Sequence, residues 1–347
     1  MTSDTASDIS PIIREKAPLI LSEIQKAKSI LLHCHPSPDP DSVGSALAMR
    51  FAIEQLGERG SGKVTIIAGD SAIPQAFMHF PGAADIVAKN FFELDLSGFD
   101  LFIVQDSSKA EMVSKLKPIE FPEHLKIIVI DHHNSNSGYG AINLVEPSYP
   151  ATAQVLFDLF WEWKIKITPE IAANLFMGIY TDTGGFKYTG TTSRTFMIAS
   201  ALAAKAPDFP QLISAMENSI TLQDLAFQGL ALSSIESLFA GRFALSVVPF
   251  AKMQEKNIED ENASAGMISS ILRRIGSFDI VGACIETEPN VIKFSFRSKD
   301  GNAYDVSKLA VALGGGGHKA AAGTTLNMPL EEAKKAVVAK AKELYNL

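Results

Sequence analysis

The stretch SILLHCHPSPDPDSVGSALAMRFA (29–52) decides how the rest of the chain is read. A short apolar run, SILLHC (29–34), breaks at a proline-rich loop carrying His35, Asp39 and Asp41, and a helical pattern follows. Strand, loop and helix in that order open a parallel-sheet unit. Three more apolar runs repeat the theme: VTIIA (64–68), DLFIVQ (100–105) and KIIVI (126–130). The third of the four runs into Asp106, and the last runs into Asp131, His132 and His133. In open α/β sheets ligands bind outside the carboxyl ends of the strands. These acids and imidazoles are therefore expected on one rim, which is the predicted active site.

A helix is predicted from Thr168, with Pro169 and Glu170 in its first turn, and it delivers Asp182 to a glycine-rich turn. Residues 190–240 are rich in Ala, Leu and Ser and read as helical. Beyond them the pattern changes to strands at 242–250, 279–287 and 291–298, the last two joined as a hairpin by Glu288-Pro289-Asn290. In the last strand, alternation puts Ile292, Phe294 and Phe296 on one face and Lys293, Ser295 and Arg297 on the other.

The 347 residues allow about two domains. A hydrophobic share of 46% with 20% charged residues excludes a mainly disordered chain. The net charge of −8 argues against salt-driven binding of long duplex nucleic acid and leaves short anionic ligands held by a local site. Cys34 and Cys284 alone make no disulfide framework, which favours a reducing compartment. The opening MTSDTASDIS (1–10) lacks the basic start and apolar core of a secretory signal. No apolar run approaches the ~20 residues that span a bilayer, so a cytoplasmic protein with no membrane partner is expected.

His35, Asp39 and Asp41 form a hard oxygen and nitrogen ligand set, better suited to manganese, magnesium or cobalt than a thiolate zinc site. Alone, the two acids would also serve as caps for the helix that follows. Adding Asp106, His132 and Asp182 raises the set to six, enough for two cations sharing a bridging carboxylate, an arrangement used in phosphoryl chemistry. In the last hundred residues the run Gly314 to Gly317 can bring backbone N–H groups close to an anion, Arg297 can grip a phosphate with two N–H groups, and His318 adds a donor.

In this order the motifs resemble the DHH phosphoesterase superfamily: H-x-x-P-D-x-D at 35–41, Asp106 after a strand, the Asp131-His132-His133 triplet, and DTGGF at 182–186. FRSK (296–299) and GGGGHK (314–319) are similar to the DHH-associated C-terminal domain of the RecJ-like branch that holds nanoRNases and 3′-phosphoadenosine 5′-phosphate phosphatases. PSYPAT (147–152) departs from the family pattern, near the expected substrate cleft.

The resemblance implies an α/β fold of two lobes. A parallel-sheet DHH catalytic domain is expected over 1–190, a helical connector over 191–240, and a smaller substrate-binding α/β domain with a mixed sheet over 241–347. It also implies two divalent cations, Mn2+ before Mg2+ or Co2+. His35, Asp39 and Asp106 would hold one, and Asp41, Asp106, His132 and Asp182 the other, with Asp106 bridging. His133 would donate to the scissile phosphate, and Asp131 would orient its neighbours. Arg297, Ser298, Gly315, Gly316, Gly317 and His318 would bind substrate. The implied activity is hydrolysis, by water activated between two metals, of short RNA or DNA oligonucleotides, linear dinucleotides or 3′-phosphoadenosine 5′-phosphate. A homodimer is the default assembly. The alternatives are a manganese-dependent inorganic pyrophosphatase, whose second lobe carries a different basic motif, and a non-catalytic nucleotide sensor.

Overall fold

The computed structural model describes residues 9–57, 62–188 and 190–347. Most of the opening stretch that was read against a secretory signal lies outside these residues. The chain forms two compact units, Met1–Ser219 and Ile220–Leu347.

The first unit is built on five parallel strands: β1 (Ser29–His33), β2 (Lys63–Ile67), β3 (Leu101–Gln105), β4 (Lys126–Asp131) and β5 (Ile142–Val145), in the order β2-β1-β3-β4-β5. Each strand sends alternate side chains to opposite faces. Ile30, Leu32, Ile103, Ile128 and Ile130 join the core under the helices. Leu31, Phe102, Val104, Ile127 and Val129 join a second core on the opposite face. Burial on both faces explains why these runs read as continuously apolar. The strand order reverses between β1 and β3, and the crevice at such a switch point is where α/β sheets bind ligands.

The two faces are covered differently. Helices α1 (Pro11–Lys26), α2 (Pro40–Leu56), α3 (Thr152–Glu162) and α4 (Pro169–Asp182) supply the larger core. Among the described residues, the opposite face carries no α-helix. Between β2 and β3, prolines and glycines such as Pro74, Pro81 and Gly82 break the chain into single 3-10 turns. Phe91, Phe92 and Phe99 from this segment, with Phe121, pack against the sheet in the place where a crossover helix was expected. The predicted helix from Thr168 forms as α4, with the Thr168 side chain accepting from Ile171 N. Strand β5 was missed: INLV is short, and three of its four side chains are only half-buried, one of them the polar Asn143.

The stretch 191–240 is shared between the units. Helices α5 (Ser193–Ala203) and α6 (Phe209–Glu217) belong to the first, and α7 (Leu222–Ser233) with β6 (Ile235–Leu238) to the second. The second unit continues with β7 (Phe243–Val248), α8 (Phe250–Glu255), α9 (Ala265–Leu272), β8 (Ile280–Glu288), β9 (Val291–Ser298), α10 (Val306–Ala312), β10 (Gly316–His318), β11 (Ala321–Asn327) and α11 (Leu330–Tyr345). Its six strands run in the order β10-β11-β9-β8-β7-β6, parallel only between β7 and β8, so the sheet is mixed. The hairpin at 288–290 forms with Asn290 in the left-handed region, φ 65°, which asparagine tolerates. Among the described residues no helix is long and apolar enough to cross a membrane.

Helices α2 and α4 approach closely at Gly44, where an added Cβ would lie 2.5 Å from the backbone oxygen of Asn174. A methyl group there has only backbone to push against. Gly44→Ala is expected to cost about 1–3 kcal/mol, the range for overpacking a close-packed interior, and thermal unfolding of the purified chain would show it as a lowered Tm. An unchanged Tm would mean that the helices part without cost.

Candidate metal centre

The loop after β1 turns directly into α2, and each of its acids has a separate local role. Asp39 is the N-cap: its Oδ1 accepts from Ser42 N at 2.9 Å. Its other oxygen, Oδ2, lies 3.4 Å from His35 Nε2. The capping and ligand readings of Asp39 therefore coexist, one oxygen each. Pro40 occupies the first helical position, where its fixed φ fits and its missing N–H is no loss. Asp41 points the other way, into the protein, with no exposure to solvent. Its Oδ2 accepts from Thr152 N at 2.7 Å and its Oδ1 from Ala153 N at 2.9 Å, at the start of α3. Opposite it, an added Cβ on Gly178 would fall 2.5 Å from Asp41 Oδ1, so this position on α4 has no room for a side chain.

Asp106 follows β3 in a left-handed conformation, φ 52°, an unusual backbone state of the kind that clusters at functional sites. Its carboxylate stands between the two imidazoles. Oδ2 is 3.5 Å from His35 Nε2, and Oδ1 is 3.6 Å from His132 Nε2. Thr152 Oγ1 donates to Oδ1 at 3.0 Å. His132 Nε2 also lies 3.3 Å from Asp182 Oδ2, at the last residue of α4. Ligand atoms within 4.8 Å of one another thus form two sets, His35 with Asp39 and Asp106, and Asp41 with His132 and Asp182.

The surroundings fit a cation. His132 Nε2 is buried without a hydrogen-bond partner, although carboxylates stand 3.3–3.6 Å away. Two donors each about 2.1 Å from one ion and about 90–110° apart are separated by about 3.0–3.4 Å, close to these spacings. On the other side of the ring, Nδ1 faces the carbonyl of Tyr149 at 3.2 Å, which directs a proton to Nδ1 and a lone pair to Nε2. Helix α4 also ends here, adding the negative end of its dipole to the Asp182 carboxylate.

A third set, Asp106, His132 and His133, meets the same distance criterion. In it His133 would use Nδ1, 3.7 Å from Asp106, yet that atom already pairs with Asp131 Oδ1 at 2.7 Å. His133 Nδ1 is therefore already engaged by Asp131. Asp131 itself is fully buried. It also accepts from His132 N and from Asn136 Nδ2, the latter at 2.7 Å on Oδ2. The Asn136 contact and the donors of the strap 147–152 were not read from sequence. Backbone N–H groups carry no residue signature, and Asn136 was visible only as an amide five residues past Asp131.

Electrostatics follow from this crowding. Burial pushes the Asp41 carboxyl well above the usual range, and repulsion from Asp106 and Asp182 adds to it. Asp182 is also raised, by burial first. Burial opposes the charged form of His35, but the carboxylates of Asp106 and Asp39 outweigh it and hold the imidazolium up to about 10. His132 likewise reaches about 10 through Asp182, Asp41 and Asp106 against burial. His33, two residues before His35 at the end of β1 and fully buried beside Phe102, goes the other way, to about 3 from burial.

The second unit corrects part of the expected anion site. Gly316–His318 is no open loop: it is strand β10, paired antiparallel with β11 through Gly316 with Gly323, Gly317 with Ala322 and His318 with Ala321. Gly317, at φ 138°, has Ala322 Cα where its Cβ would be, 2.5 Å away, so close strand packing demands this glycine. Ser298 sits on the core face of β9 with no solvent exposure and its Oγ toward Lys319 O, which removes it from the open face. Arg297 is half-buried on the other face with Lys293 and Ser295, which α9 covers in part through the Ser269–Ser295 hydroxyl contact at 2.9 Å, and its Nη1 donates to Ser295 Oγ at 3.1 Å and to the Phe296 carbonyl at 3.0 Å. Beside it lies a cleft of about 760 Å³ whose walls include Ser264, Lys293, Ser295, Gly315 and Gly323. His318 is exposed on the edge strand.

Residues 29–179 match the DHH family, N-terminal domain, and residues 242–346 match the DHHA1 domain. The chain belongs to the DHH family. It is 28% identical to the bifunctional oligoribonuclease and PAP phosphatase NrnA of Thermus thermophilus over 93% of each chain. The protein of the same name from Bacillus subtilis is 26% identical, covering 88% of this chain and 92% of its own. An exopolyphosphatase-related protein from Bacteroides fragilis shares the fold, with a TM-score of 0.83 and 21% identity over 96% of this DHH chain and 97% of its own.

The charge state of the two imidazoles makes ion binding proton-linked. With the ion absent both are protonated at pH 7, since that lies below their raised values. Ligation needs them neutral and the raised Asp41 carboxyl ionised, so binding of a divalent cation is expected to release about two protons or more and to tighten as pH rises. Calorimetric heats of Mn2+ binding in buffers of different ionisation enthalpy measure that number, and a value of zero would remove the imidazoles from the ligand set.

Proposed function

We propose that the chain is a hydrolase of phosphoester bonds that cleaves short oligonucleotides, including linear dinucleotides, and 3′-phosphoadenosine 5′-phosphate, with two Mn2+ ions held by His35, Asp39, Asp41, Asp106, His132 and Asp182. The observation that carries this reading is the Asp106 carboxylate with one oxygen toward His35 and the other toward His132. One group that serves two ligand sets is what a bridged pair of ions requires. An all-oxygen and imidazole donor set favours manganese over a thiolate metal. The names of the Thermus thermophilus and Bacillus subtilis relatives support both substrate classes. A cytoplasmic setting fits the two buried free cysteines.

When bound, divalent cations would supply Lewis-acid charge to the phosphoryl oxygens and lower the pKa of water at the site. The chain's own contribution begins at His133. The Asp131 contact raises its pKa against burial, keeping the ring charged with Nδ1 occupied, so Nε2 is the atom left to donate to a non-bridging phosphate oxygen as charge develops there. Asp131 shares its two oxygens among His133, the His132 backbone and Asn136, which fixes that ring. In the second unit, Arg297, Lys293 and the Gly315 wall of the cleft suit a phosphate or sugar group.

Chromatography of the purified chain with Mn2+ tests the proposal against a 5′-phosphorylated dinucleotide, 3′-phosphoadenosine 5′-phosphate and pyrophosphate. Release of mononucleotide and AMP is expected, and Asp106→Asn should lower both by about 10²–10³-fold, the loss seen when one preorganised polar group is removed from a catalytic site. Cleavage of pyrophosphate alone would replace this reading with that of a pyrophosphatase. Nucleotide binding without turnover would make the chain a sensor.

The His133 role has its own pH signature. Because Asp131 raises the pKa of His133, activity that needs the charged ring persists as pH rises and falls only through that raised value. Asp131→Asn is expected to move the alkaline limb of the kcat profile to lower pH. An unmoved limb in an active variant would show that His133 donates no proton that matters.

A further inference from the structure

One strap, residues 147–152 between β5 and α3, touches three of the six candidate ligands. Its Tyr149 carbonyl meets His132 Nδ1, its Thr152 hydroxyl meets Asp106, and its Thr152 N–H meets Asp41. This is the segment whose sequence departs from the family pattern. Nothing in the ligand set itself fixes its position. Pro150 cannot donate a backbone hydrogen bond, and the segment lies outside any strand or helix until Thr152.

The strap is anchored from behind. The Tyr149 ring turns inward, 8% exposed, and its hydroxyl donates to Asp158 Oδ2 at 2.6 Å. Asp158 sits on α3 and is 1% exposed. Its other oxygen, Oδ1, pairs with Arg194 Nη2 of α5 at 2.5 Å. Ser10 N donates to the Tyr149 hydroxyl at 3.2 Å, and Glu146 holds Ser148 N, Ser148 Oγ and the Ser10 hydroxyl. A buried ion pair is poor evidence of stability, because burial costs it about as much as pairing returns. Its geometry, in contrast, is rigid, and a buried carboxylate with both oxygens engaged cannot rotate without leaving a partner unmatched.

We propose that Tyr149, Asp158 and Arg194 form a positioning relay that sets ion affinity, by holding the Tyr149 carbonyl against His132 Nδ1 and the α3 N-terminus against Asp41. None of the three belongs to the candidate ligand sets. They act through the strap on the orientation of His132, Asp41 and Asp106. The inference rests on the metal-dependent reading of the site. Partners behind metal ligands of this kind are worth about 10–100-fold in ion affinity, so the relay's effect should be readable as binding.

The test uses the full chain and two changes at opposite ends of the relay. Tyr149→Phe keeps the ring and the carbonyl and deletes only the hydroxyl. Arg194→Met removes the charge that pairs with Asp158, and Arg194→Lys restores it. Mn2+ affinity is measured by calorimetry, the ligand field by the visible spectrum of the Co2+-loaded chain, and stability by the Tm of the metal-free chain.

The expected result is about tenfold weaker Mn2+ binding and a shifted Co2+ band in Tyr149→Phe and Arg194→Met. With a dinucleotide, kcat should fall and KM hold, and Arg194→Lys should recover part of the affinity. Wild-type affinity and an unmoved Co2+ band in both variants would overturn the relay, whatever their Tm. Failure of the wild-type chain to bind Mn2+ or Co2+ would instead bring down the metal reading and the relay with it. Should one deletion fail to fold, the other carries the comparison alone, and wild-type affinity with an unmoved Co2+ band there overturns the relay.

Discussion

Mutual repulsion among Asp39, Asp41, Asp106 and Asp182 is the constraint on which the first unit depends. Four carboxylates around two imidazoles cannot all keep their charge inside a protein unless donors or cations face them. The fold supplies donors at fixed points. The start of α2 gives Asp39 a backbone N–H, the start of α3 gives Asp41 two, and Thr152 gives Asp106 a hydroxyl. What the donors leave is a residual negative field centred on Asp106, and the two nearby imidazoles respond by staying charged. A divalent cation satisfies that field more fully than protons do. Ion binding and the internal strain of the site are therefore the same quantity seen from two sides.

The parts of this arrangement that were legible in sequence are those carried by side-chain chemistry at strand ends. His35, Asp106 and His132 follow strands whose apolar runs are continuous because both faces are buried, so period and length both mark them. Asp182 was legible through a helix with a capped start and a glycine-rich stop. The parts that were hidden use the main chain. The carbonyl of Tyr149 and the N–H groups of Thr152 and Ala153 are supplied by every residue type alike, so nothing in PSYPAT distinguishes it from an ordinary connection. The aromatic cover on the second sheet face was hidden for a related reason. Phe91, Phe92 and Phe99 have no helical period because short 3-10 turns and the loops between them present them.

The second unit shows how one motif can hold for a different physical reason than the one it suggests. A run of glycines reads as a bare loop open to an anion. Here Gly317 lies where strand β10 presses on Ala322, and the pairing with β11 turns the run into a sheet edge. The alternation of β9 then sorts its neighbours: Ser298 falls with Phe294 and Phe296 inside, and Arg297 falls with Lys293 and Ser295 outside. Four consecutive motif residues, Phe296 to Lys299, thus divide between core and surface by the pleat alone.

The acceptor for His132 Nδ1 is a main-chain oxygen, which no substitution can delete. Replacing Tyr149 changes where that oxygen sits, never whether it exists. Variation in the strap therefore acts on this centre as a dial, whereas a change at Asp106 acts as a switch. On the proposed relay, substitutions at 147–150 would grade how firmly the His132 ring is held, whereas loss of Asp106 would remove a shared carboxylate outright.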